Sequence, residues 1–97
     1  MSKMVHVKVI LTGLFKDLVG ADNVKVEINQ PTVAGLIAKM VDRYGSKFRN
    51  AVLRGTELNE GVTILVNDSD IEYINGFETT VEEGSTVTIM GGGLGGG

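Results

Sequence analysis

Few side chains in this chain have the types and spacing that chemistry requires. Its 97 residues include one histidine, His6, and no cysteine. That removes disulfides, thiolate nucleophiles, zinc-thiolate sites and iron-sulfur clusters together. Serines stand at 2, 46, 69 and 85, but a single histidine on the outward side of "MVHVKVIL" gives none of them a base in a recognisable triad, so nucleophilic catalysis is not expected. The pairs Asp68/Asp70 and Glu82/Glu83 are the right residue types for calcium binding or acid–base work. They fall in turn-like segments, and their spacing is not that of a calcium loop. His6 has no second histidine or cysteine beside it, so no metal site is expected and His6 reads as a surface strand residue.

What remains is the C-terminal "TIMGGGLGGG", where Gly91, Gly92, Gly93, Leu94, Gly95, Gly96 and Gly97 form a segment costly to order and without core-forming side chains. A phosphate-binding glycine loop sits between a strand and a helix whose N-terminus completes the site. Nothing follows Gly97, so no bound nucleotide or other cofactor is expected. The segment then reads as inert filler, as a spacer, or as a substrate that another protein's active site grips. The third reading explains most: a chain almost free of side chains threads a narrow channel and carries a terminal carboxylate away from the body. Seven residues at about 3.4 Å each reach about 24 Å. Ordering them on binding is costly, so the affinity must come from the body.

The elements that position this tail are legible from hydrophobic periodicity. Val5, Val7, Val9 and Leu11 alternate with His6, Lys8 and Ile10, which predicts a strand over 4–11. "NVKVEI" repeats the pattern with Val24, Val26 and Ile28 inward, and "GADN" before it reads as a turn, which predicts an antiparallel pair. In "PTVAGLIAKMVDRYG" the period changes: Val33, Leu36, Ile37, Met40, Val41 and Tyr44 form one helical stripe. Thr32 is placed to cap this helix and Gly45 to close it with a left-handed residue. Gly35, unfavourable in a helix, is expected to allow close approach to the sheet. Phe48, Val52 and Leu53 suggest a short helix after it. "VTILVN" reads as a strand with Val62, Ile64 and Val66 inward. "DIEYI" reads as a short edge strand after the turn "NDSD", turns surround Phe77 and Val81, and "TVTIM" reads as a last strand burying Val87 and Ile89.

Helix and sheet each need one covered face, and a right-handed crossover through the long helix lets the first strand pair with a later one in parallel. The expected fold is α+β, a ubiquitin-like β-grasp with a mixed sheet against one main helix. Residues 1–90 form the domain and 91–97 a flexible tail. The length allows one domain only. A net charge of −3 with scattered cations argues against a nucleic-acid partner. No apolar run reaches the roughly 20 residues of a membrane span and the N-terminus is no signal peptide, so a cytoplasmic protein without membrane contact is expected. Of the outward sheet residues, Ile10, Leu65 and Met90 are apolar and are candidates for a partner-docking patch.

The helix "TVAGLIAKMVDRYG", the run "VTILVNDSDIEYINGFETTVEEGSTVTIM" with "VND", "GFETTVEEG" and "VTI" in order, and the terminal Gly96-Gly97 together resemble the ubiquitin-like sulfur carriers of the MoaD and ThiS family. The resemblance spans most of the chain. It implies that the carrier has no catalytic side chains of its own. A partner E1-like adenylating enzyme of the MoeB/ThiF type, using ATP, activates the carboxyl carbon of Gly97, and sulfur transfer gives a thiocarboxylate. Gly91 to Gly96 would lie in the partner's active site. A sulfur-accepting synthase, such as a molybdopterin synthase large subunit, would be the second partner, serving molybdopterin, tungstopterin or related synthesis. The alternative is a ubiquitin-like modifier conjugated to target lysines through Gly97. The chain departs from the family pattern in two places. Ser85 follows the last turn glycine where an acidic residue is usual, and the tail lacks the usual proline or small apolar residues. Gly92-Gly93 is thereby a second candidate diglycine if the chain were cut before Leu94.

Overall fold

The computed structural model describes residues 4–91. Strand β1, Val5–Leu11, turns Val7, Val9 and Leu11 inward with almost no exposure. It is followed by a short helix, α1, Leu14–Val19, which the sequence reading did not anticipate. Six residues carry too little periodicity to signal a helix, and Gly13 at its start makes no side-chain cap. Tertiary packing holds it instead, through the fully buried Phe15, whose ring meets Phe48 edge-on at 5.8 Å between centroids. Gly20 then closes α1 in the left-handed conformation, where the turn at "GADN" was expected.

Strand β2, Asn23–Ile28, runs antiparallel to β1 from the pair Ile10↔Asn23 to the pair Val5↔Ile28. The main helix α2, Val33–Tyr44, starts as expected at Thr32, whose Oγ1 accepts from the Gly35 N–H at 3.0 Å. It buries Val33, Leu36, Ile37 and Met40. Two expectations on this helix need correction. Gly45 has positive φ (87°) but its ψ of −168° lies outside the left-handed helical region, because it must also open the next helix, accepting the Arg49 N–H on its carbonyl. Gly35 does make a close approach, but not to the sheet. A β-carbon there would overlap the Gln30 carbonyl oxygen and lie 2.8 Å from the Gln30 β-carbon, so the glycine lets the incoming loop fold back over the helix's first turn.

Helix α3, Ser46–Val52, buries Phe48 and Val52, and β3, Leu53–Arg54, pairs with β4, Glu57–Leu58, in a small hairpin. Strand β5, Val62–Val66, alternates as expected. Asn67 and Asp68, both at positive φ (49° and 74°), turn the chain into β6, Ser69–Asp70. Two adjacent positive φ values match the strand twist of a tight hairpin and suit asparagine and aspartate. The expected strand over "DIEYI" stops there. Asp70 accepts the Glu72 N–H at 2.9 Å and starts a 3-10 turn, Ile71–Tyr73, that buries Ile71. This local capping bond competes with a ladder that would have only one neighbour.

Strand β7, Thr86–Gly91, lies between β1, to which it is parallel, and β5, to which it is antiparallel. The sheet order is β2-β1-β7-β5-β6. The parallel pairing of the first and last long strands around a helical crossover is the β-grasp arrangement. The loop before β7 is tied to the start of α2 by Val33 N–H to Thr79 and Val81 N–H to Pro31 bonds, both 3.0 Å. The core lies between the inner sheet face and α2, and it leaves the outer sheet face uncovered.

Candidate functional site

The uncovered face is built by alternation. With Val9, Val87 and Ile64 inward, their neighbours Ile10, Thr88 and Leu65 point outward. The register then places them in one row, Ile10 opposite Thr88 on one side and Leu65 opposite Thr88 on the other. Strand spacing of about 4.8 Å puts the outer pair roughly 10 Å apart. Met90, two residues beyond Thr88 and opposite Thr63, is diagonal to both, within reach of long side chains. Ile10, Leu65 and Met90 are all partly exposed. The fold therefore gathers three residues from β1, β5 and β7 around Thr88. A shallow concavity borders Ile10, with Lys8, Lys16 and Asp22 among its lining residues, so the apolar group has a polar margin.

Met90 is also the residue before the tail root. Gly91, read from sequence as the first tail residue, is the last residue of β7 and pairs with Val62. The other predicted tail positions, Gly92, Gly93, Leu94, Gly95, Gly96 and Gly97, lie outside the described residues. Leu14, at the start of α1 and next to Gly13, is 39% exposed. It adds apolar surface close to where β7 ends, since a β-carbon on Gly13 would come within 3.4 Å of the Gly91 carbonyl oxygen.

His6 lies at the other end of the sheet. Lys8 pairs with Thr86 and Leu11 with Ile89, so Gly91 aligns about seven residues beyond His6, roughly 23 Å away along the strands. The imidazole sits between two carboxylates: Nε2 is 2.8 Å from Glu27 and Nδ1 is 3.1 Å from Glu83. Glu83 also accepts the His6 backbone N–H at 2.9 Å. Glu83 foremost, and then Glu27, raises the His6 pKa above its ordinary value by hydrogen bonding to the charged ring. The cluster fastens β1 to β2 and to the loop before β7. Because each ring nitrogen faces a different carboxylate, it does not converge on one ion. Among the described residues no group of three or more His, Asp or Glu side chains is placed to hold a metal.

The remaining polar candidates have structural tasks. Asp70 caps the 3-10 turn, and Asp68 holds the left-handed turn position. Ser85 is 5% exposed, and its hydroxyl accepts the Glu82 N–H at 2.9 Å while its own N–H returns to the Glu82 carbonyl. This closed turn accounts for serine at a place where the family pattern has an acid: a buried hydroxyl satisfies the backbone locally. Ser46 and Ser69 are exposed and far in sequence from a histidine already held by two carboxylates.

Two features escaped the sequence reading. Tyr73 and Ile74 are 85% and 51% exposed, which the assumption of an edge strand concealed. The cations are also less scattered than they looked: every Lys and Arg lies at or before Arg54, whereas eight carboxylates fall between Glu57 and Glu83. Counting charge separately for the two halves would have found this. In the fold, the cation-free half includes β5, β6 and the turns beyond them, on one side of the patch.

A β-grasp body with an apolar outer face beside its C-terminal strand end is shared with known proteins. The model of the ThiS family matches residues 9–96. No curated protein sequence matches the chain. Among solved structures it is similar to the small archaeal modifier protein 1 of Methanosarcina acetivorans (TM-score 0.78, 20% identity, covering 95% of this chain and 97% of that one). It is similar to a chain of the Amycolatopsis orientalis BexX/CysO complex (TM-score 0.75, 25% identity, covering 88% and 93%). It is also similar to a Pyrococcus furiosus protein described as molybdopterin converting factor, subunit 1 (TM-score 0.71, 26% identity, covering 88% and 94%). The family match runs from inside β1 through every element of the sheet and on to Gly96, and the chain therefore belongs to the ThiS family of small ubiquitin-like carrier and modifier proteins.

Proposed function

We propose that this protein is a sulfur carrier whose reacting group is the carboxylate of Gly97, and that its body serves to dock and present that group. The observation that supports this most is the family match reaching Gly96, on a body whose histidine, serines and carboxylates are occupied in structural bonds. A carboxylate is a poor electrophile. In the proposed sequence it attacks the α-phosphorus of ATP in an E1-like partner and pyrophosphate leaves. Hydrosulfide then adds to the carbonyl carbon of the acyl-adenylate, AMP departs, a proton is lost, and a thiocarboxylate remains. ATP belongs to the partner, and this chain contributes the carboxylate and the docking face.

Ile10, Leu65 and Met90 suit the docking role because they are apolar, adjacent across three strands, and next to the end of β7. The resemblance to the Pyrococcus protein favours molybdopterin-type synthesis as the destination of the sulfur, with a synthase large subunit as acceptor in the cytoplasm. The likeness to a small archaeal modifier motivates a second reading, in which a lysine amine attacks the same activated carbon and forms an isopeptide bond. Intact mass spectrometry after incubation with the adenylating enzyme, ATP and sulfide separates the two. Replacement of one oxygen by sulfur at the C-terminus is the expected product, and a branched lysine conjugate without thiocarboxylate would favour the modifier. Neither product would overturn both.

A further inference from the structure

Gly91 does more than begin a glycine-rich run. It occupies the last register position of β7, opposite Val62, with φ of 95°. A β-carbon at Gly91 would overlap the Gly61 carbonyl oxygen, lie 2.9 Å from the Gly61 carbonyl carbon and 3.4 Å from the Val62 α-carbon. Those are backbone atoms at the start of a paired strand, so no rotamer change makes room. A positive φ adds a second, independent obstacle for any L side chain. On its other side the Gly91 carbonyl oxygen faces Gly13, and the chain just before Gly13 is fastened to β7 by a Thr12 N–H to Ile89 carbonyl bond of 3.3 Å.

We infer that Gly91 is a positioning residue: seated against the Gly61 backbone, it sets the direction in which the chain leaves the body, and the arm that delivers the carboxylate begins at Gly92. The inference rests on the carboxylate-delivery reading above. It shortens the arm to six residues, about 20 Å at 3.4 Å each. A fixed root confines the arm to a cone, which raises the effective concentration of the carboxylate at a channel mouth once the body has docked. The first glycine of the tail is thus selected by packing at the sheet end, and only those after it by the partner.

Two measurements test this. In the unaltered chain, 15N relaxation should give the Gly91 amide an order parameter near 0.85, like the rest of β7, and a value below about 0.6 would overturn the inference. In ATP–pyrophosphate exchange with the adenylating enzyme, Gly91→Ala should lower kcat about tenfold with KM within about twofold, because the body docks normally but the arm is misaimed. Wild-type kcat in a folded Gly91→Ala protein would also overturn it. Should that variant fail to fold, the order parameter of the unaltered chain decides. Absence of exchange by the unaltered chain would count against the carboxylate-delivery reading alone, leaving the relaxation result to judge the root.

Discussion

The two ends of the sheet are held together in opposite ways. At the His6 end, side chains do the joining: one imidazole bridges Glu27 of β2 and Glu83 of the loop before β7, and the Ser85 hydroxyl closes the adjoining turn. At the Gly91 end the joining is backbone against backbone, with Gly91 on Gly61 and Gly13 close by. The contrast follows from what each end must do. A polar clasp tolerates solvent and needs no partner, whereas an end that enters another protein's active site must be free of bulk and still point in one direction.

Experiments that separate the two ends should show effects of descending size. Removing Gly96 and Gly97 should abolish ATP–pyrophosphate exchange while leaving the melting temperature unchanged, since no described core residue is touched. Any remaining exchange would move the reactive group elsewhere, Gly93 being the first place to look. Gly35→Ala should cost about 1–3 kcal/mol in urea unfolding, because the new methyl must displace the backbone at Gln30. An unchanged midpoint would mean that the loop yields freely. On the docking face, Leu65→Asp should raise KM for exchange about tenfold, near 1.4 kcal/mol, with kcat nearly constant. A fall in kcat alone would count against a docking role. Thr32→Ala should remove about 1 kcal/mol of stability by deleting the cap on α2.

The smallest effect belongs to the His6 clasp and depends on pH. A pKa raised in the folded state gives a contribution to stability that is fully present below histidine's unfolded pKa of about 6.5, and is lost as pH rises through the higher folded value. Both ring nitrogens and both carboxylates are more than half exposed, so the effect is well screened. Melting curves of His6→Gln and the unaltered chain should differ most near pH 5.5 and converge at alkaline pH. A difference that grows with pH would reverse the assignment. Exchange kinetics should be the same in both proteins, which distinguishes this end from the other.

Much of the fold was legible because its long elements carry strong periodicity. The stripe of Val33, Leu36, Ile37 and Met40 is the buried face of α2, and the strand alternations bury Val7, Val9, Ile64, Val87 and Ile89. The misses were short segments whose conformation is decided by contacts from elsewhere. Helix α1 exists because Phe15 finds Phe48, 33 positions away in sequence. The strand expected over "DIEYI" gave way to a side-chain cap from Asp70. The candidate patch was legible residue by residue, since alternation assigns Ile10, Leu65 and Met90 to outward positions. Their adjacency was not, because it depends on strand order and register.

The sequence by itself determined the absence of thiol and triad chemistry, the amphipathic helix, the alternation of the long strands and the family-like terminal diglycine. These follow from residue type and local spacing, which need no knowledge of the rest of the chain. Only the tertiary structure decided that β7 lies between β1 and β5, which brings three apolar residues around Thr88. It also decided that the last strand takes Gly91 as its final residue. A β-carbon at that position is excluded by the Gly61 carbonyl, 30 residues earlier in the chain, and such exclusion exists only once the two strands have paired.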